Sequence, residues 1–178
     1  MDIMIDLETL STDTDTAVVS IGACLFDIKT GEIPSTFYMS LQLQDQFDNG
    51  RKVSESTLKW WFTQNDSAKS VFRENAMPPK EALDLFSNWL TLNVPDIRKR
   101  KVWGNGSGFD VSIMEHMYKA SSIPVPWTFG NIMDFRTFRR FMADGAKVEN
   151  IGTHHNALDD ALSQAQFVIK YSKKEKSE

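Results

Sequence analysis

Met1-Asp2-Ile3-Met4-Ile5-Asp6-Leu7-Glu8 stands at the start of the sequence, and the rest of the chain is organised around it. Ile3, Met4 and Ile5 are an apolar run of the kind that forms a buried strand. Asp6-Leu7-Glu8 follows at once. On an extended chain, side chains two apart share a face, so Asp6 and Glu8 point the same way at the end of a core strand. Two carboxylates that close repel unless a positive group sits between them. A hard divalent cation such as Mg²⁺, which takes oxygen ligands, is the natural candidate. Asp-x-Glu alone is common, so the pair needs partners from elsewhere in the chain.

Outward from that strand, the pattern is one of alternating strands and helices. Ala17 to Phe26 predicts a second strand, with Gly22 marking a bulge or the close approach of another backbone. Thr30-Gly31 predicts a turn, and the alternation of Phe37, Met39, Leu41 and Leu43 predicts a third strand. The opening is thus an antiparallel meander of three strands. Gln44 to Lys52 is polar and predicts a loop. Ser54 to Gln64 predicts a short helix with Leu58, Trp61 and Phe62 inward. Adjacent helical positions lie about 100° apart, so Trp60 and Trp61 cannot both face the core; one packs there and the other offers a surface on which a base can stack.

Pro78-Pro79 starts a helix running to about Asn93. Lys101 to Trp103 is a short strand. Gly104-Asn105-Gly106-Ser107-Gly108 then crosses to a helix opened by Phe109-Asp110. That glycine cluster matches neither the dinucleotide fingerprint nor the nucleophile elbow. Its low bulk lets a ligand come near the backbone. Asp110, in a helical first turn, is favoured as a carboxylate. Ile132 to Asp134 predicts a strand, Phe135 to Met142 a helix, Asp144 to Thr153 a loop and Ala157 to Tyr171 the last helix.

Before that helix, His154-His155-Asn156-Ala157-Leu158-Asp159-Asp160 holds two of the three histidines and two acids. A histidine at a loop edge can reach water, and its ordinary pKa suits proton abstraction near neutrality. An acid on the helix could join a metal cluster. Periodicity does not choose between Asp159 and Asp160.

Composition sets the class. The 178 residues, 41% hydrophobic and 25% charged, are ordinary for one globular domain; residues 1–172 are expected to form it, with a charged tail at 173–178. No stretch has the apolar length needed to span a bilayer, and no signal peptide pattern is present, so a cytoplasmic location without membrane association is expected. The single cysteine, Cys24, reads as a small core residue. A net charge of −4 argues against broad coating of nucleic acid. Arg98 to Lys101, and Arg136 with Arg139 and Arg140, are expected to be solvated faces.

Asp6-x-Glu8 on the first strand, Phe109-Asp110 mid-chain and His155-x-Ala157-x-x-Asp160 near the end together resemble the DEDDh exonucleases of the DnaQ-like superfamily. The resemblance covers nearly the whole chain. Trp103-Gly104-Asn105-Gly106 and Thr57-Leu58-x-Trp60-Trp61 are similar to its small phage and bacterial members. It implies an α/β, ribonuclease-H-like fold: a central mixed β-sheet, antiparallel meander plus parallel strands, flanked by helices. It implies Asp160 as the last ligand, and two Mg²⁺ or Mn²⁺ ions held by Asp6, Glu8, Asp110 and Asp160. His155 would be the general base in 3'-5' hydrolysis of single-stranded DNA or RNA from its 3' end, releasing nucleoside 5'-monophosphates. Thr9, Leu10, Trp61 and Phe109 would touch the terminal nucleotide, with Leu10 wedged beside its base. Some relatives are homodimers, and the resemblance allows one here. The alternatives are an exoribonuclease rather than a DNA exonuclease, or an endonuclease on the same fold, which would not need the His155-to-Asp160 spacing.

Overall fold

The computed structural model describes residues 1–172; the expected charged tail, 173–178, lies outside them. Five strands form one sheet: β1 (Asp2–Thr9), β2 (Val18–Phe26), β3 (Ser35–Ser40), β4 (Lys101–Gly104) and β5 (Ile132–Asp134), in the order β3-β2-β1-β4-β5. β1, β2 and β3 pair antiparallel, as the meander predicts. β4 and β5 add in parallel on the other side of β1. β1 is therefore the central strand, buried along its whole length.

The helices are α1 (Leu43–Asp48), α2 (Glu55–Thr63), α3 (Pro79–Asn93), α4 (Asp110–Ala120), α5 (Phe135–Met142) and α6 (Ala157–Ser172). They cover both faces of the sheet, which is why β1 is apolar on both sides. Ile3, Ile5 and Leu7 pack with Leu83, Phe86 and Leu90 of α3 and Met114 and Met117 of α4. Met4 faces the other way, with Cys24, Trp103, and Ala161, Ala165 and Val168 of α6. Continuing by twos from Met4, Asp6 and Glu8 fall on the α6 side. Burial pushes the Cys24 thiol up to about 12, as an inert core residue requires.

Gly22 is the cross-strand neighbour of Asp6. A methyl at Gly22 would overlap the Ala157 carbonyl and the Leu158 nitrogen. Gly22 is thus the close approach its sequence position predicts, and it lets the start of α6 lie against the sheet beside Asp6. The irregularity of β2 comes elsewhere, as a register shift between Glu8 and Thr9.

Four expectations are corrected. β3 stops at Ser40, and Leu41 bridges to Met77 instead of extending the strand. The predicted loop from Gln44 contains α1, because buried Gln46 accepts from the Val18 N–H and donates to its carbonyl, both at 2.8 Å. That contact is long-range and leaves no local apolar period. In α2 only Trp61 is buried, while Phe62 is 76% exposed and Leu58 lies at the surface. Arg100 is buried, not solvated: its guanidinium donates to the carbonyls of Val94 and Pro126 at 2.8 and 2.7 Å. No helix among the described residues is long and apolar enough to cross a membrane.

Candidate active site

At the carboxyl end of β1 lies a cleft of about 490 Å³ bordered by Asp6, Glu8, Asp110, His155 and Asp160. Residues far apart in the chain meet here for separate local reasons. Asp6 and Glu8 arrive by the two-residue period of β1. Asp110 arrives because β4 ends at Gly104, leaving the ladder of β1 open beyond Met4. Its carboxylate fills that gap, accepting from the N–H of Leu7 at 3.3 Å and of Asn105 at 3.0 Å. Asp160 arrives on the first turn of α6, which Gly22 admits.

Asp6, Glu8 and Asp160 each place a carboxylate oxygen within 4.8 Å of the others. Burial and neighbouring acids raise their cost of ionisation. Burial, then the charges of Asp110, Glu8 and Asp160, hold the Asp6 carboxyl well above the usual range. Burial, with Asp160 and Asp110, pushes Glu8 up to about 8. Burial lifts Asp110 to about 6 despite its backbone donors, and also raises Asp160. A buried knot of acids this close fits a divalent cation bound among them.

His155 sits on the loop before α6 with φ +64°, a left-handed backbone. Its own N–H donates to Asp160 Oδ2 at 3.1 Å. Its ring stands edge-on against Trp60, centroids 4.7 Å apart, and beside His154 at 3.9 Å. Burial, then His154, holds its pKa below the ordinary 6.5, so the ring is neutral near pH 7. The loop is fixed by Asp159, whose carboxylate accepts from Thr153 N–H at 2.6 Å and occupies the space where Gly152 lacks a side chain. Asp159 therefore braces the loop, and Asp160 faces the acids.

The residues expected at a terminal nucleotide are separated by the fold. Thr9 and Phe109 border a second hollow beside Glu8, together with Thr57 and Trp60. Leu10 and Trp61 do not: both are buried in a small core with Val19, Ala68 and Val71. The Trp61 Nε1–H donates to the Thr9 carbonyl at 2.9 Å, anchoring α2 beneath the strand end. Trp60, one position earlier and 38% exposed, is the ring that meets the hollow. Arg136 and Arg139, expected to be solvated, border the main cleft. Gln164 also borders it, with Nε2 donating to Asp6 Oδ1 at 2.7 Å. Its only sequence signal is its place one turn beyond Asp160, on the same face of α6.

The fold is ribonuclease-H-like, and with the family model that matches it the class is a 3'-5' exonuclease. Residues 1–171 match the family model described as the 3'-5' exoribonuclease Rv2179c-like domain, and the chain belongs to that family. No curated protein sequence matches it. Among solved structures, the nuclease domain of 3'hExo, a DEDDh family member bound to rAMP, is 16% identical with a TM-score of 0.65, covering 97% of this chain and 92% of that one. Cell-death related nuclease 4 (CRN-4) is 17% identical with a TM-score of 0.68, covering 97% of this chain and 64% of its own. Exonuclease I of E. coli in complex with a dT13 oligonucleotide is 10% identical with a TM-score of 0.66; it covers 99% of this chain, which spans 42% of that enzyme. At these identities the likeness is one of fold.

Proposed function

We propose that the protein removes nucleoside 5'-monophosphates one at a time from the 3' end of single-stranded RNA. In this proposal Asp6, Glu8, Asp110 and Asp160 hold two Mg²⁺ or Mn²⁺ ions and His155 is the general base. The observation that carries it is the convergence of Asp6, Glu8 and Asp160 within 4.8 Å of one another, in the cleft that also holds Asp110 and His155. Ions bound there would acidify a water and stabilise the charge that develops on the scissile phosphate. The chain's own groups do the rest. His155, neutral and facing the cleft, accepts the proton of the attacking water. Its backbone bond to Asp160 ties the base to the acids. Trp60, Phe109 and Thr9 hold the terminal nucleotide in the adjoining hollow. Arg136 and Arg139 draw the phosphate chain to the cleft.

RNA is favoured over DNA because the matching family is described as an exoribonuclease. A cytoplasmic location is part of this proposal. Matched single-stranded RNA and DNA oligomers, given Mg²⁺ or Mn²⁺ and resolved by length, test the proposal. Stepwise shortening of RNA with mononucleotide release is expected. Faster shortening of DNA overturns the substrate assignment. Internal fragments from an end-labelled strand blocked by a 3'-phosphate would mark an endonuclease.

A further inference from the structure

Three acids of the cluster are held by hydrogen bonds before any cation arrives, and the holders differ in kind. Asp110 is held by backbone N–H groups of Leu7 and Asn105. Asp160 is held by the backbone N–H of His155. Asp6 is held by a side chain: Gln164 Nε2 donates to its Oδ1 at 2.7 Å, a distance typical of a charge-assisted bond.

Gln164 is an expensive residue to keep there. It is buried, 6% exposed, with the apolar Ala161, Ala165 and Val168 on the same helix. Its Oε1 is buried and has no hydrogen-bond partner among the described residues. An unpaired buried carbonyl destabilises the fold, and an apolar side chain of the same length would remove that cost. Its amide group is oriented by Asp6 alone, with the donor end inward. Asp160 and Gln164 lie four residues apart on one helix face, so α6 brings a carboxylate and an amide donor to the same acid cluster.

We infer that Gln164 is a positioning residue for the metal-holding acids, fixing the carboxylate of Asp6 so that its free oxygen faces Glu8 and Asp160. This inference rests on the proposed exonuclease function. An oxygen that accepts one bond from Gln164 leaves the other oxygen of Asp6 unencumbered. Groups that orient metal-holding side chains typically matter ten- to a hundredfold for metal affinity or activity.

The test compares Gln164→Met, similar in length and without a donor, with the unaltered protein. Mn²⁺ binding is measured by calorimetry on the metal-free protein, and kcat and KM on a 3'-hydroxyl RNA oligomer. We expect Mn²⁺ affinity and kcat to fall roughly ten- to a hundredfold, KM to stay within about twofold because Gln164 is buried with its donor spent on Asp6, and Tm to hold or rise. Unchanged Mn²⁺ affinity and kcat in Gln164→Met overturn the inference, leaving Gln164 as core filler. Should that variant fail to fold, Gln164→Glu, the same shape with an acceptor facing Asp6, decides it: Mn²⁺ affinity at least about tenfold below that of the unaltered protein supports the role and undiminished affinity overturns it. Failure of the unaltered protein to release nucleotides overturns the proposed function separately, and Mn²⁺ binding still judges Gln164.

Discussion

The two halves of the site are built on opposite principles. Asp6 and Glu8 lie on the central strand, paired with β2 along their length and covered by α6. His155 lies on a loop, on left-handed backbone, braced by Asp159 and leaning on Trp60. Groups that repel one another need a scaffold that does not yield, and a strand buried on both faces supplies it. A group that trades protons with water needs solvent at one side, and a loop edge supplies that. The strained backbone at His155 costs about 1 kcal/mol or more, which the anchored loop sustains.

That contrast can be broken at either end, and the largest effect is expected among the acids, Asp6 on the strand and Asp160 on the helix laid against it. Asp6→Asn or Asp160→Asn should lower nucleotide release by roughly a thousandfold or more, since several kcal/mol of transition-state stabilisation go with the cation cluster. Tm of the metal-free protein should hold or rise, because one repelling charge is gone. A folded Asp6→Asn with normal turnover would falsify the role of the strand acids. His155→Ala should cost somewhat less, roughly 10²- to 10⁴-fold in kcat, with Mn²⁺ affinity preserved. In the unaltered enzyme the activity should fall on acidification below the ordinary histidine pKa of 6.5, because burial depresses the pKa and only the neutral ring accepts a proton. An acid limb that persists unchanged in His155→Ala would assign that titration to other groups.

Two glycines sharpen the comparison further. Gly22→Ala sets a methyl against the start of α6, an overpacking expected to cost about 1–3 kcal/mol and to move Asp160 off Asp6. Stability and activity should fall together, as unfolding curves and turnover would show. Gly152→Ala, at φ +66° and against Asp159, should disturb the loop alone. Its expected mark is a loss of activity with a smaller loss of stability, about 1 kcal/mol. If Gly152→Ala unfolds the protein as readily as Gly22→Ala, the loop is no more adjustable than the sheet.

The smallest effect is linked to pH. The Glu8 carboxyl is pushed from 4.5 up to about 8, and that of Asp110 from 3.8 to about 6. A group raised on folding favours the folded state while protonated, and that advantage is lost as pH rises through the raised value. Without metal, Tm should therefore fall as pH rises from about 4 to about 8, with Asp110 contributing up to about pH 6 and Glu8 up to about pH 8, by roughly 3 °C for each kcal/mol lost. Mn²⁺ should restore it, more strongly at the higher pH, where fewer protons compete. A metal-free Tm that rises over that range would remove the acids as the source of repulsion.

Much of this is written locally. The β1 period puts Asp6 and Glu8 on one face, Pro79 and Asp110 open their helices where expected, and the antiparallel meander follows from alternation and a turn. What local pattern misreads is instructive. Leu58 and Phe62 share the helical spacing of Trp61 but not its burial, because of the three only Trp61, anchored on the Thr9 carbonyl, enters the small core with Leu10 and Val19. α1 offers only Leu43 to the small core, and its one buried residue, Gln46, bonded to Val18, holds it. The basic residues divide between burial, at Arg100, and the cleft, at Arg136 and Arg139, according to which carbonyls or acids tertiary packing brings near.

By itself the sequence determined the order of strands and helices, the shared face of Asp6 and Glu8, and the candidacy of Asp110, His155 and the acids after it. Those are consequences of short-range geometry, the period of two along a strand and of 3.6 along a helix. Family resemblance singled out Asp160; only tertiary structure decided that Asp159 braces the loop, that Trp60 rather than Trp61 meets the hollow, and that Gln164 reaches Asp6. Periodicity orients a side chain about its own axis; which neighbour it then meets depends on how α6 is set against β1 and β2, and that rests on contacts more than a hundred residues apart in the chain, such as Gln164 with Asp6.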